Sequence, residues 1–177
     1  MSDRRHHIAV TAIGPDRPGI VAAVTQVLFD LGCNLEDATS TILRGHFSIV
    51  LVVNVPPEIG FDDVQNALEP AGRDLGLVVS ARPVGDAAPA QGRATHMVSV
   101  YGADRPGIVF KVTAALAERS VNILDLNSRM LGDDDAIYAL MLEVAAPKDM
   151  DLAAELDALR TDLGVELTVS ALDPDLF

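Results

Sequence analysis

The sequence has no tryptophan and only one cysteine among its 177 residues. A single cysteine cannot form a disulfide within the chain, which excludes a small secreted domain held together by disulfides. Cys33 lies in the segment LGCNL, and the matching position of the repeat described below is Val121. A position that holds either cysteine or valine is typical of a small buried apolar side chain rather than a nucleophile.

Basic residues are also scarce. The chain has 13 lysines and arginines against 26 aspartates and glutamates, a net charge of −13. Nucleic-acid binding depends on lysine and arginine neutralising phosphates, so we expect no direct contact with DNA or RNA. The same repulsion disfavours anionic membranes.

Long apolar runs and targeting segments are missing too. No apolar stretch approaches the roughly 18 residues that span a bilayer, and the start MSDRRHH lacks the apolar core of a signal peptide. Hydrophobic residues nevertheless make up 49% of the chain, enough for a folded core. We expect a globular cytoplasmic protein.

Signatures of catalysis, metal binding and nucleotide binding are absent from the sequence. It has no P-loop, no G-x-G-x-x-G and no G-x-S-x-G motif. The segment GDDD (132–135) lacks the ligand series of a calcium loop and predicts a solvated turn. We expect no catalytic residue, no metal site and no cofactor, because the four histidines also lack metal-ligand spacing: His6, His7, His46 and His96.

The feature that stands out is an internal repeat. GPDRPGIV at Gly14–Val21 recurs as GADRPGIV at Gly102–Val109, and at the same offset Asn34 matches Asn122. Between the copies lies GDAAPAQGR, a small and polar segment typical of a linker. The sequence therefore predicts a first domain over 1–84, a linker over 85–93 and a second domain over 94–177.

Each repeat predicts the element order βαββαβ. Alternating segments predict strands before each DRPG motif, and apolar residues at helical spacing predict the helices 18–31, 62–74, 106–119 and 149–162. This order predicts an α+β chain of two ferredoxin-like domains, each a four-stranded antiparallel sheet with two helices on one face.

The third strand of each repeat, FSIVLVVNV or IYALMLEV, is almost continuously apolar. A sheet with one solvated face is expected to alternate apolar and polar residues. We therefore expect the face opposite the helices to be covered, by the other repeat or by a second chain. This pattern predicts a homo-oligomer, such as a dimer.

The DRPG motif joins a strand to a helix and predicts an anion site. Pro18 suits the first helical position, and Asp16 can accept hydrogen bonds from free helical amides or hold the turn. Gly19 leaves the backbone open to another molecule. Free amides at a helix N-terminus favour an anion, here most naturally a carboxylate.

Asn34 and Asn122 follow the first helix of each repeat and offer a donor and an acceptor, which suits the ammonium and carboxylate of one small molecule. A structural interpretation stands beside this one. DRPG could simply be a well-capped helix start, and the asparagine a C-terminal cap. The residues alone leave both interpretations open.

A strand ending in G-x-D-R-P-G-I-V, followed by a helix and Asn-Leu or Asn-Ile, resembles the ACT domain, and the resemblance covers nearly the whole chain in both copies. Two such units without a catalytic domain are most similar to the tandem-ACT regulators of the glycine cleavage system. The resemblance implies regulatory binding of a small amino acid at an interface between ACT units, and action through a protein partner such as a transcription factor or a metabolic enzyme. Carried over, the implied ligand-binding residues are Asp16, Arg17, Gly19, Ile20, Asn34, Asp104, Arg105, Gly107, Ile108 and Asn122.

Three functions are compatible with these observations. The first is a non-catalytic regulatory protein that senses glycine, serine or a similar amino acid and controls amino-acid or one-carbon metabolism. The second is an interaction module whose ACT units only dimerise or dock. The third is a detached regulatory subunit of a biosynthetic enzyme.

Overall fold

The computed structural model describes residues 6–85, 93–132 and 137–172. The chain divides into two units, Met1–Ala87 and Ala88–Phe177. Most of the predicted linker over 85–93 lies outside the described residues, as does most of the predicted GDDD turn.

Each unit has the predicted order βαββαβ. The first contains β1 (His6–Pro15), α1 (Ile20–Asp30), β2 (Asn34–Leu43), β3 (His46–Val55), α2 (Phe61–Leu75) and β4 (Val78–Val84). The second contains β5 (His96–Ala103), α3 (Ile108–Glu118), β6 (Asn122–Leu131), β7 (Ile137–Ala145), α4 (Leu152–Leu163) and β8 (Glu166–Ala171).

The strands form one four-stranded antiparallel sheet per unit, in the order β2-β3-β1-β4 and β6-β7-β5-β8. This confirms the ferredoxin-like fold in both copies. Within the described residues, no helix is both long and apolar enough to cross a membrane.

Both helices of a unit pack on one face of its sheet. In the first unit, Val24 of α1 and Leu68 of α2 belong to the same buried cluster as Val10 of β1. The second unit repeats this arrangement with Leu116 of α3 and Leu156 of α4. Each fully buried side chain of this size contributes about 1.5–3 kcal/mol through the hydrophobic effect, so each unit has its own stabilising core.

Helices α1 and α3 begin two residues later than the sequence predicted. Gly19 and Gly107 have φ values of 94° and 96°, which place them in the left-handed region immediately before the helix. An α-helix cannot continue back through such a residue. The prediction that Pro18 and Pro106 occupy the first helical position is therefore wrong, and both lie in the preceding turn.

Strand β3 alternates in burial although its sequence is continuously apolar. Ile49, Leu51 and Val53 are buried against the helices, whereas Val50, between them, is 40% exposed on the outer face. An outer face that carries such side chains suits contact with another surface. Its coverage by a second chain stays a prediction.

Strands β2 and β6 each contain a β-bulge at the equivalent position. The pairing register shifts between Leu35 and Asp37 in the first unit and between Ile123 and Asp125 in the second. The bulged strand gains one residue without a partner. That residue is Glu36 in β2 and Leu124 in β6.

Candidate functional site

The first glycine of each DRPG corner is needed for close packing. A Cβ atom on Gly14 would lie 2.6 Å from the carbonyl oxygen of Gly76 and 2.7 Å from Cδ2 of Leu77. A Cβ atom on Gly102 would lie 2.9 Å from Cγ1 of Val165. The corner therefore packs directly on the turn that follows the second helix of the same unit.

The arginine of each motif contacts the end of that second helix. Nη2 of Arg17 donates to the carbonyl oxygen of Asp74 in the last turn of α2, at 2.7 Å. In the second unit, Nη1 of Arg105 lies 3.2 Å from the position of a Cβ atom on Gly164, which follows α4. A cation at a helix C-terminus satisfies free carbonyls and is favoured by the helix dipole. This contact gives Arg17, a predicted ligand-binding residue, a partner inside its own unit.

The second glycine of each motif is required by backbone conformation. Gly19 and Gly107 have positive φ, which L-residues with a side chain rarely adopt. A Cβ atom on either glycine would meet no described atom within 4 Å. Among the described atoms, the space beside both glycines is therefore open, and ligand binding there stays a prediction.

The aspartates of the motif do not cap the helices. Neither α1 nor α3 has a side-chain cap at its N-terminus, and neither has an acidic residue in its first turn. The option that Asp16 and Asp104 accept from these amides is wrong. Instead, the main-chain amide of Asp16 donates to the carbonyl oxygen of Gly45 at 2.9 Å and fixes the turn against the β2–β3 hairpin.

The other two helices are capped by carboxylates of the chain itself. At the start of α2, the amide of Gly60 donates to Oδ2 of Asp63 at 2.8 Å. At the start of α4, the amide of Ala154 donates to Oδ1 of Asp151 at 3.1 Å, and this cap places the helix start at Leu152 rather than at the predicted residue 149. Each unit therefore has one helix with a carboxylate at its N-terminus and one, after DRPG, without.

The asparagines lie at the opposite end of each unit from the DRPG corner. Asn34 is the first residue of β2 and Asn122 the first of β6, and both are exposed. Helix α1 has 11 residues, and a helix of that length spans about 16 Å. Within one unit, therefore, the structure does not bring Asn34 to Gly19, nor Asn122 to Gly107.

In the first unit, Asn34 lies opposite Asn54 in the sheet, beside a polar cluster that the sequence analysis missed. Nδ2 of Asn54 donates to Oε1 of Glu36 at 3.0 Å, and Nε2 of His7 lies 3.0 Å from Oε2 of Glu36. Oδ1 of Asn54 is buried and has no hydrogen-bond partner among the described residues. Glu36 is the bulge residue, so no alternating pattern could have placed it beside His7.

The remaining predicted groups have structural surroundings. Ile20 and Ile108 are both 2% exposed, so they anchor their helices in the core rather than face a ligand. Cys33 packs against the core of the first unit, and burial raises the pKa of its thiol. Across the described ranges, no three or more His, Cys, Asp or Glu side chains are grouped to hold a metal ion.

Family models match both units. One model of the ACT domain matches residues 6–82, and another model, also of the ACT domain, matches residues 96–156. Together the two matches cover most of the chain.

The chain is also similar to curated proteins and to solved structures, over nearly its whole length or over part of it. The chain is 27% identical to the glycine cleavage system transcriptional repressor of Escherichia coli K12 over 176 residues, which covers 96% of this chain and 92% of that protein. It is 39% identical over 71 residues to a UPF0237 protein of Methanopyrus kandleri, covering 40% of this chain and 79% of the relative. Among solved structures, an unknown protein from Galdieria sulphuraria matches with a TM-score of 0.81 and 25% identity, over 96% of this chain and all of the other.

Proposed function

Because the chain belongs to the ACT-domain family, we propose that it is a non-catalytic regulatory protein whose DRPG corners bind the carboxylate of a small amino acid such as glycine or serine. The two ACT matches, over residues 6–82 and 96–156, together cover most of the chain. A relative similar over almost its whole length is described as a transcriptional repressor of the glycine cleavage system. Both observations support control of amino-acid or one-carbon metabolism.

The observation that carries the proposal is the contrast between the helix N-termini. A carboxylate of the chain accepts from the N-cap amide of Gly60 at α2 and from the first-turn amide of Ala154 at α4, whereas no described carboxylate does so at α1 or α3. The chain is rich in acidic residues, so a bare N-terminus at the same place in both units is not explained by a shortage of carboxylates. At α1 and α3, the carboxylate of a ligand would accept hydrogen bonds from the helix amides. A capping side chain takes that role in other helices.

The corner needs further contacts from outside its unit. The helix dipole contributes about 0.3–1 kcal/mol to anion binding at an exposed site, whereas millimolar affinity corresponds to about 4 kcal/mol. The asparagine of the same unit is too distant to help. We therefore propose that the ligand is enclosed by residues of another ACT unit, such as one from a second copy of the chain, and that binding and homodimerisation are coupled.

We propose that the signal passes through a protein partner, such as a transcription factor or a metabolic enzyme. The net charge of −13 opposes direct contact with nucleic acid. A regulator of gene expression with this charge acts most economically by binding another protein.

Calorimetric titration with glycine and with serine tests the ligand. The variant Ala22→Glu places a carboxylate at the third position of α1, where Asp63 sits in α2, and Phe110→Glu does the same in α3. We expect the combined variant to lose amino-acid binding while the protein melts at the same or a higher temperature, because each new carboxylate can accept from the amide of Gly19 or Gly107 and repels the carboxylate of the ligand. Ala22→Met with Phe110→Met is the matched control, because methionine has a similar length and no oxygen acceptor, and it keeps most of the affinity.

Substitution of Gly19 or Gly107 is a poorer test. Any side chain there strains the backbone, so lost binding could reflect a displaced corner. With the glutamate variant, unchanged binding of glycine or serine would place the ligand elsewhere.

A second candidate function is an interaction module without ligand sensing. It is favoured by exposed apolar side chains on the first sheet, since Ile13 is 50% and its neighbour Val78 is 71% exposed. Such a module would bind none of the twenty amino acids yet still form dimers or capture a partner. Recovery of a biosynthetic enzyme with the tagged protein would instead support a detached regulatory subunit.

A further inference from the structure

The second unit contains a cavity of about 470 Å³ beside Asn122, at the end of the unit away from Gly107. Thr95 forms one fixed wall. Its amide donates to the carbonyl oxygen of Val144 at 2.8 Å, and its own carbonyl accepts from the amide of Leu172 at 2.8 Å. Its hydroxyl accepts from the amide of Ala146 at 2.9 Å. These bonds join the start of β5, the end of β7 and the end of β8.

The charged residues that line the cavity are both cationic. Among the described lining residues they are Arg93 and Lys148, and none of those lining residues is acidic, although acidic residues outnumber basic ones two to one in the whole chain. Lys148 has no salt bridge or hydrogen bond to any other described residue. Arg93 has an interaction of its own, so Lys148 is the cation that would attract an anion into this concave site.

The rest of the lining combines two polar side chains with an apolar surface. Ser120 and Asn122 have side chains that are not hydrogen-bonded within the described part of the chain, and the other lining groups include alanine, proline and leucine. The volume is within the range of small-molecule sites. We propose that this cavity binds a small carboxylate with a short aliphatic body, with its charge at Lys148 and its apolar part against the alanine side chains.

The equivalent place in the first unit is lined by larger polar side chains. Ala145 lies opposite Asn122 in the second sheet, whereas Asn54 lies opposite Asn34 in the first. Asn54 and its partner Glu36 take up this position with hydrogen-bonded side chains. We therefore infer one site of this kind per chain. It includes no DRPG residue, so this inference does not depend on the proposed function.

The intact chain of 177 residues offers a direct probe of the site, because Lys111 and Lys148 are its only lysines. Reductive methylation with ¹³C-formaldehyde keeps their charge and gives each side chain a separate NMR signal, assigned with Lys148→Gln and Lys111→Gln. We expect isovalerate to shift the Lys148 signal saturably, at one site per chain. The neutral isostere isovaleramide is expected to leave it in place.

Variants then test the assignment by calorimetry on unmodified protein. Lys148→Gln is expected to weaken isovalerate binding at least about tenfold, whereas Lys111→Gln, on the exposed face of α3, leaves it unchanged. Ala145→Asn copies the first unit and is expected to abolish binding by filling the cavity. Thermal melting of each variant confirms that it is folded.

Three results would overturn the proposal. They are equal shifts with isovaleramide, no saturable signal up to about 10 mM isovalerate, and equal losses from the two lysine variants. The combined variant Ala22→Glu with Phe110→Glu is expected to bind isovalerate normally. Failure at this cavity can thus be distinguished from failure at the DRPG corners.

Discussion

Individual residues of the DRPG corner serve different purposes, although the motif looks uniform in sequence. Gly14 allows close approach, Arg17 binds a helix end and Gly19 supplies a left-handed turn. Only the need for a glycine at a tight corner could be predicted locally. The role of Arg17 depends on Asp74, 57 positions away, and nothing in the local pattern points to that contact.

The close approach at Gly14 predicts an asymmetric effect of substitution. Gly14→Ala would bring a Cβ atom within 2.6 Å of a backbone oxygen, whereas Gly102→Ala would meet mainly a valine side chain at 2.9 Å. We expect Gly14→Ala to lower the free energy of unfolding by about 1–3 kcal/mol, and Gly102→Ala by less, because a side chain yields more easily than a backbone. Urea unfolding followed by circular dichroism measures both. A larger loss from Gly102→Ala would contradict the packing argument.

Cys33 is predicted to be a slow nucleophile. Burial raises the pKa of its thiol, so less thiolate is present at mildly alkaline pH than in the unfolded chain. We expect iodoacetamide to alkylate Cys33 more slowly in the native protein than in urea. The unfolded thiol releases its proton at lower pH than the folded one, so this group's contribution to stability falls as pH rises through the ordinary thiol pKa. Equal alkylation rates in the two states would show an accessible thiol.

At the scale of helices and strands, hydrophobic periodicity predicted the order of the elements in both units. Val24 and Leu28 of α1, four residues apart, are both buried, which agrees with the apolar spacing that predicted the helix. The start of α1 was predicted two residues too early, because proline is common at the first helical position and Pro18 was placed there. The positive φ of Gly19 instead makes Ile20 the first helical residue. A hydrophobic pattern does not reveal the sign of φ at a glycine. The first helical residue after a Pro-Gly pair therefore cannot be predicted from that pattern.

Arg17 is expected to link β1–α1 to the end of α2. Arg17→Leu removes the donor to Asp74, and loss of one such charge-assisted bond at an exposed site costs about 1 kcal/mol. We expect faster amide hydrogen exchange at Gly76 and Leu77, whose amides close the last turn of α2. Arg82→Leu, on exposed β4, is the matched control for lost charge. Equal exchange in both variants would show that the bond does not hold the helix end.

At the scale of the whole molecule, the repeat predicted two similar units but not their differences. The cavity beside Asn122 is lined from five separate stretches, between Arg93 and Leu172. The sequence could not show that Ala145 leaves room where Asn54 does not, because the register of β6 on β7 decides which residues face each other. Differences between copies are therefore best sought at paired positions.

Each unit is expected to fold alone, because its buried residues form a separate core. Fragments 1–87 and 88–177 should each show cooperative melting by circular dichroism. Both tyrosines of the chain, Tyr101 and Tyr138, lie in the second unit, so tyrosine fluorescence follows that unit alone in the intact protein. A fragment that melts without cooperativity would show that its core is incomplete.

The matching bulges at Glu36 and Leu124 carry a historical consequence. Two independent insertions at the same place would require two events. A single bulge that was already present before the gene duplicated requires one. Removing the extra residue from either copy would move the side chains at the start of that strand to the opposite face of the sheet. Descendants could therefore exchange glutamate for leucine at the bulge far more readily than they could lose it.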